Sequence, residues 1–306
     1  MNLNGDFNLL KISKYPPIFK YCLIFSPRLA CATVSFAELA SANIVGYMDK
    51  AADNASGYTW MANTFQKVDG TVTKLSDLSF KENLAPTAAK LYLLDKAGAT
   101  LVDANGKKCI YVYLNPTRAG TRAVPGWYYD GTASNAMTGE NSEGWANDVE
   151  IPYGQGFGIQ RSTTAATLVF SGSVAAKDQE IEAKNASGYT WMGNVMPTDL
   201  TLADLSFKEN LAPTAAKLYL LDKAGATLVD ANGKKCIYVY LNPTKAGTRA
   251  VPGWYFDGTA SNAMTGETSP GWANNVSIKA GQGFGIQRST TAATLVIPSP
   301  LVDNAQ

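Results

Sequence analysis

The chain has 306 residues, of which 46% are hydrophobic and 17% are charged, with 27 glycines, 14 prolines and no histidine. This composition is typical of folded domains. The missing histidine excludes Ser-His-Asp and Cys-His nucleophiles and every zinc site that needs an imidazole. The four cysteines, at positions 22, 31, 109 and 236, have no C-x-x-C spacing, so we expect no metal and no cofactor.

The first 37 residues have the pattern of an export signal. Three lysines precede an apolar stretch that ends in Ser35-Phe36-Ala37, with small residues at the −3 and −1 positions of a cut after Ala37. We predict a signal peptide or leader over 1–37 and a secreted, extracellular or cell-surface location. Pro27-Arg28 interrupts the apolar stretch, which leaves an ordinary N-terminal arm as the alternative.

The predicted mature chain carries 22 basic and 24 acidic residues. A nearly neutral chain without a basic stripe argues against nucleic acid as a partner. No later stretch reaches the roughly 18 to 20 apolar residues that span a bilayer, so we expect no membrane span.

Residues 38–52 contain an apolar segment that reads as a β-strand, with Ile44, Val45, Tyr47 and Met48 as its apolar side chains. Short segments with a period of two follow, separated by turn signals about every ten residues. The predicted strands are 58–63, 90–94, 100–102, 109–114, 126–129, 157–160 and 166–170. Asn105-Gly106 predicts a hairpin between two of them.

The chain contains a tandem repeat. Residues 78–169 match residues 205–296 at an offset of 127, with 84 of 92 positions identical, and residues 54–61 recur at 185–192. Many short strands with regular turns are typical of sandwiches and barrels. We predict an all-β protein of two immunoglobulin-like antiparallel β-sandwich domains, over 53–172 and 185–306, joined by a linker over 173–184.

The segment before the first domain has no apolar counterpart before the second. Residues 42–48 read Ala-Asn-Ile-Val-Gly-Tyr-Met, whereas residues 173–179 read Ser-Val-Ala-Ala-Lys-Asp-Gln. Glu180-Ile-Glu182 could supply only part of an equivalent strand. A domain that lacks an edge strand can take one from another chain. We predict that Asn43, Ile44, Val45, Tyr47 and Met48 are donated to a neighbouring copy. Folding of this segment onto its own first domain is the alternative.

The cysteines and tryptophans also suggest roles. Cys109 and Cys236 lie on the same strand of each domain and read as small buried thiols. Trp127 and Trp145, with their copies Trp254 and Trp272, are candidates for stacking on glycans, although a sandwich core also needs aromatic residues.

Three sequons indicate asparagines that could carry glycans. They are Asn54-Ala-Ser56, Asn185-Ala-Ser187 and Asn275-Val-Ser277. Glycosylation depends on export of the chain to a compartment with the required machinery.

These motifs carry a resemblance to known proteins. An export signal, then Ser41 to Tyr47, a Gly-Tyr-Thr-Trp-Met strand and a late Gly-Gln-Gly-Phe turn, resembles a group of secreted bacterial surface proteins. The chain is also similar, over Ser41 to Val296, to environmental extracellular fibril subunits with two tandem Ig-like domains, donor strands and attached glycans. The resemblance implies a structural role, with Asn43 to Met48 as the donated strand.

The sequence therefore predicts an exported structural protein without enzymatic activity, which assembles head-to-tail into an extracellular filament. Its partner is itself, with covalent or bound glycans. The alternative is a tandem carbohydrate-binding or adhesion module of a cell surface.

Overall fold

A computed structural model describes residues 45–299 apart from 53–56, 68–69, 96–98, 176, 184–187, 214, 223–225 and 290. The described part of the chain is all-β and contains no α-helix, as predicted. The predicted leader over 1–37 lies outside the described residues, as does the first part of the 38–52 segment. No helix among the described residues is both long enough and apolar enough to cross a bilayer.

The first half of the chain, which we call unit 1, has eight strands in two antiparallel sheets. The strands are β1 (Val45–Ala52), β2 (Thr59–Ala62), β3 (Ser79–Phe80), β4 (Ala89–Leu93), β5 (Ile110–Leu114), β6 (Gly126–Tyr129), β7 (Gly156–Arg161) and β8 (Ala166–Ser173). One sheet has the order β1-β8-β3 and the other the order β2-β7-β4-β5-β6.

The second half, unit 2, repeats this arrangement. Its strands are β9 (Gln179–Ala183), β10 (Thr190–Gly193), β11 (Leu200–Thr201), β12 (Ser206–Phe207), β13 (Ala216–Leu220), β14 (Ile237–Leu241), β15 (Gly253–Phe256), β16 (Ser277–Ile278), β17 (Gly283–Arg288) and β18 (Ala293–Ile297). The sheet orders are β9-β18-β12 and β10-β17-β13-β14-β15, with β11 and β16 as a separate pair.

Short 3₁₀ turns punctuate both units. They span Leu75–Asp77, Pro116–Arg118, Ser134–Ala136, Leu202–Asp204, Pro243–Lys245, Ser261–Ala263 and Gly266–Thr268.

Each unit has its own core between its two sheets. In unit 1, Met48 and Phe170 of the three-stranded sheet belong to the same buried cluster as Leu91, Trp127 and Phe157 of the five-stranded sheet. Unit 2 has an equivalent cluster of its own. Side chains from both sheets filling one core define a β-sandwich. The immunoglobulin-like topology remains a prediction.

The period-two pattern explains which side chains enter the core. In β4, Ala89, Leu91 and Leu93 point inward, whereas Lys90 and Tyr92 lie on the outer face. Residues 100–102, predicted as a strand, form only isolated bridges through Thr100 and Val102.

The predicted hairpin is present, but its loop is longer than two residues. Asp103 and Lys107 pair through their backbones, and Gly106 has a φ of 78°. The Asp103 carboxylate accepts the amides of Asn105 and Lys107, and the amide of Lys107 is the main reason why the pKa of Asp103 is lowered. Three residues, of which the last is left-handed, therefore close the hairpin.

Candidate functional site

The N-terminal strand β1 lies on its own unit. It pairs antiparallel with the whole of β8, from Val45 opposite Ser173 to Ala52 opposite Ala166. Met48 and Ala52 are buried in the core of unit 1, whereas Tyr47 is 48% exposed. Asn43 and Ile44 of the predicted donor segment lie outside the described residues. Within a single chain, the strand therefore takes the cis position that the sequence left as the alternative.

β1 lies in a groove of unit 1 along the edge of β8, and this groove is narrow at the start of β1. A Cβ on Gly46 would lie 2.4 Å from Cε1 of Phe65, and a Cβ on Gly172, its partner in β8, would lie 2.6 Å from the carbonyl oxygen of Gln66. Only glycines fit at these two facing positions, because real Cβ contacts are longer than 3 Å. The buried Phe65 ring thus fixes the register of β1 against β8.

Charged groups secure the second half of β1. The ammonium group of Lys81 forms an ion pair with the carboxylate of Asp49. Nζ of Lys50 reaches unit 2 and donates a hydrogen bond to the carbonyl oxygen of Ala280 at 3.0 Å. Cε of Met48 also approaches unit 2, where a Cβ on Gly281 would lie 2.9 Å from it. β1 therefore contacts both units.

The expectation that unit 2 lacks an edge strand is wrong. Within the predicted linker, β9 pairs with β18 in the same register that β1 has with β8, since Ala183 lies opposite Ala293 as Ala52 lies opposite Ala166. The ion pair between Lys208 and Glu180 corresponds to that between Lys81 and Asp49. Glu180 and Glu182, which weaken the strand pattern in the sequence, lie on the exposed face of β9.

β9 fills its groove less completely than β1 does. It has five residues against eight, and Gln179 stands where β1 has the buried Met48. β18 ends at Ile297, and the next residues are Pro298-Ser299-Pro300 where unit 1 has Ser171-Gly172-Ser173. Because proline has no amide hydrogen, this stretch cannot extend the strand ladder in the way that β8 does.

The two units meet at their tryptophans. The rings of Trp60 on β2 and Trp191 on β10 stack with centroids 5.3 Å apart and planes 13° apart. Both are partly exposed, and neither indole Nε1 has a hydrogen-bond partner in the structure. These tryptophans were not among the predicted site residues, although their duplication in the Gly-Tyr-Thr-Trp-Met motif was the available signal.

A row of six aromatic rings runs across this junction. Neighbouring rings lie 4.8 to 5.4 Å apart between centroids. The members in order are Tyr92, Tyr58, Trp60, Trp191, Tyr189 and Tyr219. We call this set the aromatic row.

The ends of the aromatic row are fixed by hydrogen bonds. The Tyr92 hydroxyl donates to Oε1 of Gln160 at 2.8 Å, and the Tyr219 hydroxyl donates to Oε1 of Gln287 at 2.7 Å. Burial raises the pKa of each tyrosine to about 12, so both hydroxyls keep their protons at neutral pH.

Two of the four predicted stacking tryptophans cannot meet a glycan. Trp127 and Trp254 are fully buried, and their Nε1 atoms donate to the carbonyl oxygens of Leu78 and Leu205 at 2.9 and 2.8 Å. Their place between the sheets corrects the prediction for these two residues.

The other two predicted stacking tryptophans, Trp145 and Trp272, are partly exposed. Their rings pack edge-on against Tyr128 and Tyr255. They do not come together with the aromatic row, because they cover the far strands β6 and β15 of the five-stranded sheets.

The remaining candidates fall at separate places. Cys109 and Cys236 are free and buried in the cores, as the sequence predicts. Asn275 is exposed in a turn, whereas Asn54 and Asn185 lie outside the described residues. Within the described ranges, no group of three or more cysteine, aspartate or glutamate side chains could hold a metal ion.

Comparisons with known proteins add no relative to these observations. No family model matches the chain, and no curated protein matches it. A solved structure of the Macrobrachium rosenbergii nodavirus aligns with 12% identity over 97% of this chain and 96% of that chain, with a TM-score of 0.11. A TM-score this low carries no information about the fold or the function of this protein.

Proposed function

We propose that the protein is an exported, non-enzymatic structural protein that assembles into an extracellular filament by donating β1 to a neighbouring copy. The observation that supports this most is the fit of β1 to its groove. Gly46 faces Gly172 under Phe65, Met48 enters the core and Asp49 pairs with Lys81. The same groove exists on every copy, so a strand from a neighbour makes the same contacts.

Exchange of identical strands changes few interactions. Each interaction that is broken in cis forms again in trans, so protein concentration decides how much of the exchanged form is populated. A chain that gives its own strand and accepts one from the next copy leaves one free strand and one free groove at the two ends of the assembly. Such a head-to-tail contact is open and produces a filament.

The acceptor in this proposal is unit 1 of the neighbour. The groove of unit 2 is already filled by β9. A donor strand in register there would place residues 45–47 beside Pro298-Ser299-Pro300, which offers only one amide hydrogen for pairing. The groove of unit 1 is matched to all eight residues of β1.

A disulfide trap tests the proposal. Tyr47 and Ser171 lie opposite each other, and both are exposed. Opposed residues of antiparallel strands are about 4.5 to 5.5 Å apart at Cα, within the range of a disulfide. One population carries Tyr47→Cys and a second carries Ser171→Cys. We expect a covalent heterodimer on a non-reducing gel when the two are assembled together, because each variant alone lacks a partner thiol at this site.

Two controls make the trap specific. Thr163→Cys in place of Ser171→Cys puts an exposed thiol in the turn before β8, away from β1, and should give no cross-link. The double variant Tyr47→Cys with Ser171→Cys reports the cis form as an internally linked monomer. If filaments form while the two single variants never cross-link, donation of β1 is not the mechanism.

A carbohydrate-binding or adhesion module is the second candidate, and the aromatic row favours it. The four inner rings of the row are partly exposed, and its buried end rings are held by the amides of Gln160 and Gln287. The row therefore offers apolar ring surface and hydrogen bonds to a sugar chain. For this function the platform is the aromatic row and not the buried Trp127.

Substitution of two rings tests this candidate. Tyr58 and Tyr189 lie over Gly158 and Gly285 of their own units, and their removal leaves both tryptophans of the Trp60–Trp191 stack in place. Tyr58→Ala with Tyr189→Ala should lower polysaccharide affinity by about tenfold or more if each ring contributes about 1 kcal/mol. Trp145→Ala is the matched control, measured by affinity electrophoresis. Binding that is lost only in the control would contradict the assignment to the aromatic row.

A further inference from the structure

The contact between the units joins equivalent residues from both sides. Trp60 and Trp191 occupy the same position in the repeat and stack on each other. A Cβ on Gly283 would lie 3.0 Å from Cβ of Trp60, and a Cβ on the equivalent Gly156 would lie 3.4 Å from Cβ of Trp191. Each tryptophan therefore packs on the equivalent glycine of the other unit.

A second pair of contacts repeats the same relation. A Cβ on Gly281 would lie 3.6 Å from Cγ2 of Thr64, and a Cβ on Gly154 would lie 3.4 Å from Cγ1 of Val195. Thr64 corresponds to Val195, and Gly281 corresponds to Gly154. An interface in which residue i meets j and j meets i is isologous, so the units are related by an approximate two-fold axis.

Near this axis the two units differ by one methyl group. Ala62 of unit 1 faces Gly193, its counterpart in unit 2, and a Cβ on Gly193 would lie only 2.7 Å from Cβ of Ala62. There is thus room for one methyl group but not for two. A pair of unit 1 copies would place alanine against alanine at this point.

A second difference lies beside the first. Lys50 of unit 1 donates to the carbonyl oxygen of Ala280 at 3.0 Å. On the other side of the axis, Tyr153 packs against the core of unit 2 and donates its hydroxyl to the carbonyl oxygen of Val195 at 3.1 Å. A Cβ on the next residue, Gly154, would lie 3.4 Å from Cδ1 of Ile181, which stands where unit 1 has Lys50.

The two repeats differ at few positions outside this contact. Of the eight differing positions in the 92-residue match, six fall within residues 141–153 of unit 1. Two of them, Pro152 with Lys279 and Tyr153 with Ala280, end this stretch, and both Tyr153 and Ala280 lie at the contact between the units. The rest of the sandwich is almost unchanged.

We propose that the two units recognise each other selectively, so that unit 1 pairs with unit 2 and neither pairs well with itself. A pair of unit 1 copies brings Ala62 against Ala62 and Lys50 against Tyr153. A pair of unit 2 copies leaves a void at Gly193 and sets Ile181 against the small Ala280. The partner of either unit is the complementary unit, from its own chain or from a second copy, and specificity comes from these unfavourable self-contacts.

Cleavage between the units tests the selectivity. A protease site inserted after the exposed Lys177 allows the folded full-length chain to be cut into halves of different mass. The halves are then unfolded in urea, refolded together and weighed by native mass spectrometry. We expect almost every complex to contain one unit 1 half and one unit 2 half. An unselective interface would give like pairs in about half of the complexes, and that result, or halves that do not associate, would overturn the proposal.

A compensating substitution tests the methyl pair. Gly193→Ala should weaken pairing of the halves by about tenfold or more, because the added methyl group does not fit beside the methyl group of Ala62. Adding Ala62→Gly should restore the pairing, since the methyl group has only changed sides. A Cβ on Gly193 would also lie 2.8 Å from the carbonyl oxygen of Gln282 in its own unit. If Ala62→Gly does not restore pairing, the defect lies in this contact within unit 2. That result would overturn the proposed role of the contact between Ala62 and Gly193.

Selective pairing of the units does not require filament formation. The disulfide trap follows β1 between chains, whereas the cleavage experiment follows the pairing of units. Either can fail without affecting the other.

Discussion

Glu82 and Glu209 show how a single side chain can hold the segment after an edge strand, β3 or β12, against the central strand of the same sheet. Both oxygens of the Glu209 carboxylate accept hydrogen bonds of 2.6 Å, from the amide and from the hydroxyl of Thr294, and Glu82 binds Thr167 in the same way. Burial alone would raise the pKa of Glu209, but these hydrogen bonds outweigh it and the pKa is lowered. The charged form is the one that the fold stabilises.

This lowered pKa predicts a pH dependence of stability. A carboxyl group with a lower pKa in the folded state contributes fully above its unfolded pKa of about 4.3, and the contribution is lost as the pH falls through the folded pKa. Glu209→Gln should therefore cost about 1–2 kcal/mol at pH 7 and much less at pH 3. Urea unfolding at both pH values measures the difference.

The exposed Glu267, in a turn of the same unit, provides the control as Glu267→Gln. A stability gap for Glu209→Gln that is equal at pH 7 and pH 3 would show that the loss is one of packing and not of charge.

The three tryptophans of one repeat show that residue type alone does not determine the role of a side chain. Trp60, Trp127 and Trp145 are the same residue within one repeat, yet the first joins the units, the second fills the core and the third covers an outer face. Because an aromatic side chain suits both a core and a sugar, its role depends on which face of its strand it occupies.

At the scale of elements, β1 and β9 have the same structural role in the two units. Both close the edge of a three-stranded sheet in the same register. β1 places Met48 and Ala52 in the core, whereas β9 places only Ala183 there and keeps Ile181 partly exposed. The sequence predicts Glu180-Ile-Glu182 only as a partial replacement strand, because its alternation of Glu and Ile is weaker than the apolar run of β1.

The narrow groove at the start of β1 predicts a strong effect of one methyl group. Gly46→Ala would place its Cβ against the buried Phe65 ring, and we expect a loss of about 1–3 kcal/mol in the free energy of unfolding. Thermal unfolding measures this loss. The same substitution should also reduce the yield of filament, since in the proposed assembly the donated strand enters an identical groove.

Gly120→Ala is the matched control, because a Cβ at this position would have nothing within 4 Å and the φ of Gly120 is not positive. If Gly46→Ala proves as stable as Gly120→Ala, the ring does not fix the register of β1.

For the whole molecule, β1 connects the two proposals. Lys50 and Met48 touch Ala280 and Gly281 of unit 2 while the rest of the strand completes unit 1. A strand donated by a neighbour would therefore bind both units of the acceptor at once.

Several features of the fold follow from the sequence alone. The repeat, the all-β class and strands β2, β4, β5, β6, β7 and β8 are predicted within one to three residues, because alternation of apolar side chains and turn residues are local properties of the chain. The burial of Cys109 and Cys236 is also predicted, although each lies directly before a strand, β5 or β14, and not on it.

Tertiary structure alone decided which strand closes unit 2, which tryptophans remain accessible and how the units pair. The closing strand and the pairing of the units depend on residues more than 80 positions apart, such as Gln179 with Ile297 or Trp60 with Trp191. The burial of Trp127 depends on Leu78, which is 49 positions away. Two nearly identical repeats contain the same local signals, so their sequences cannot show that a single methyl group at Ala62, opposite Gly193, makes their contact asymmetric. That distinction arises only when the two surfaces are brought within van der Waals distance.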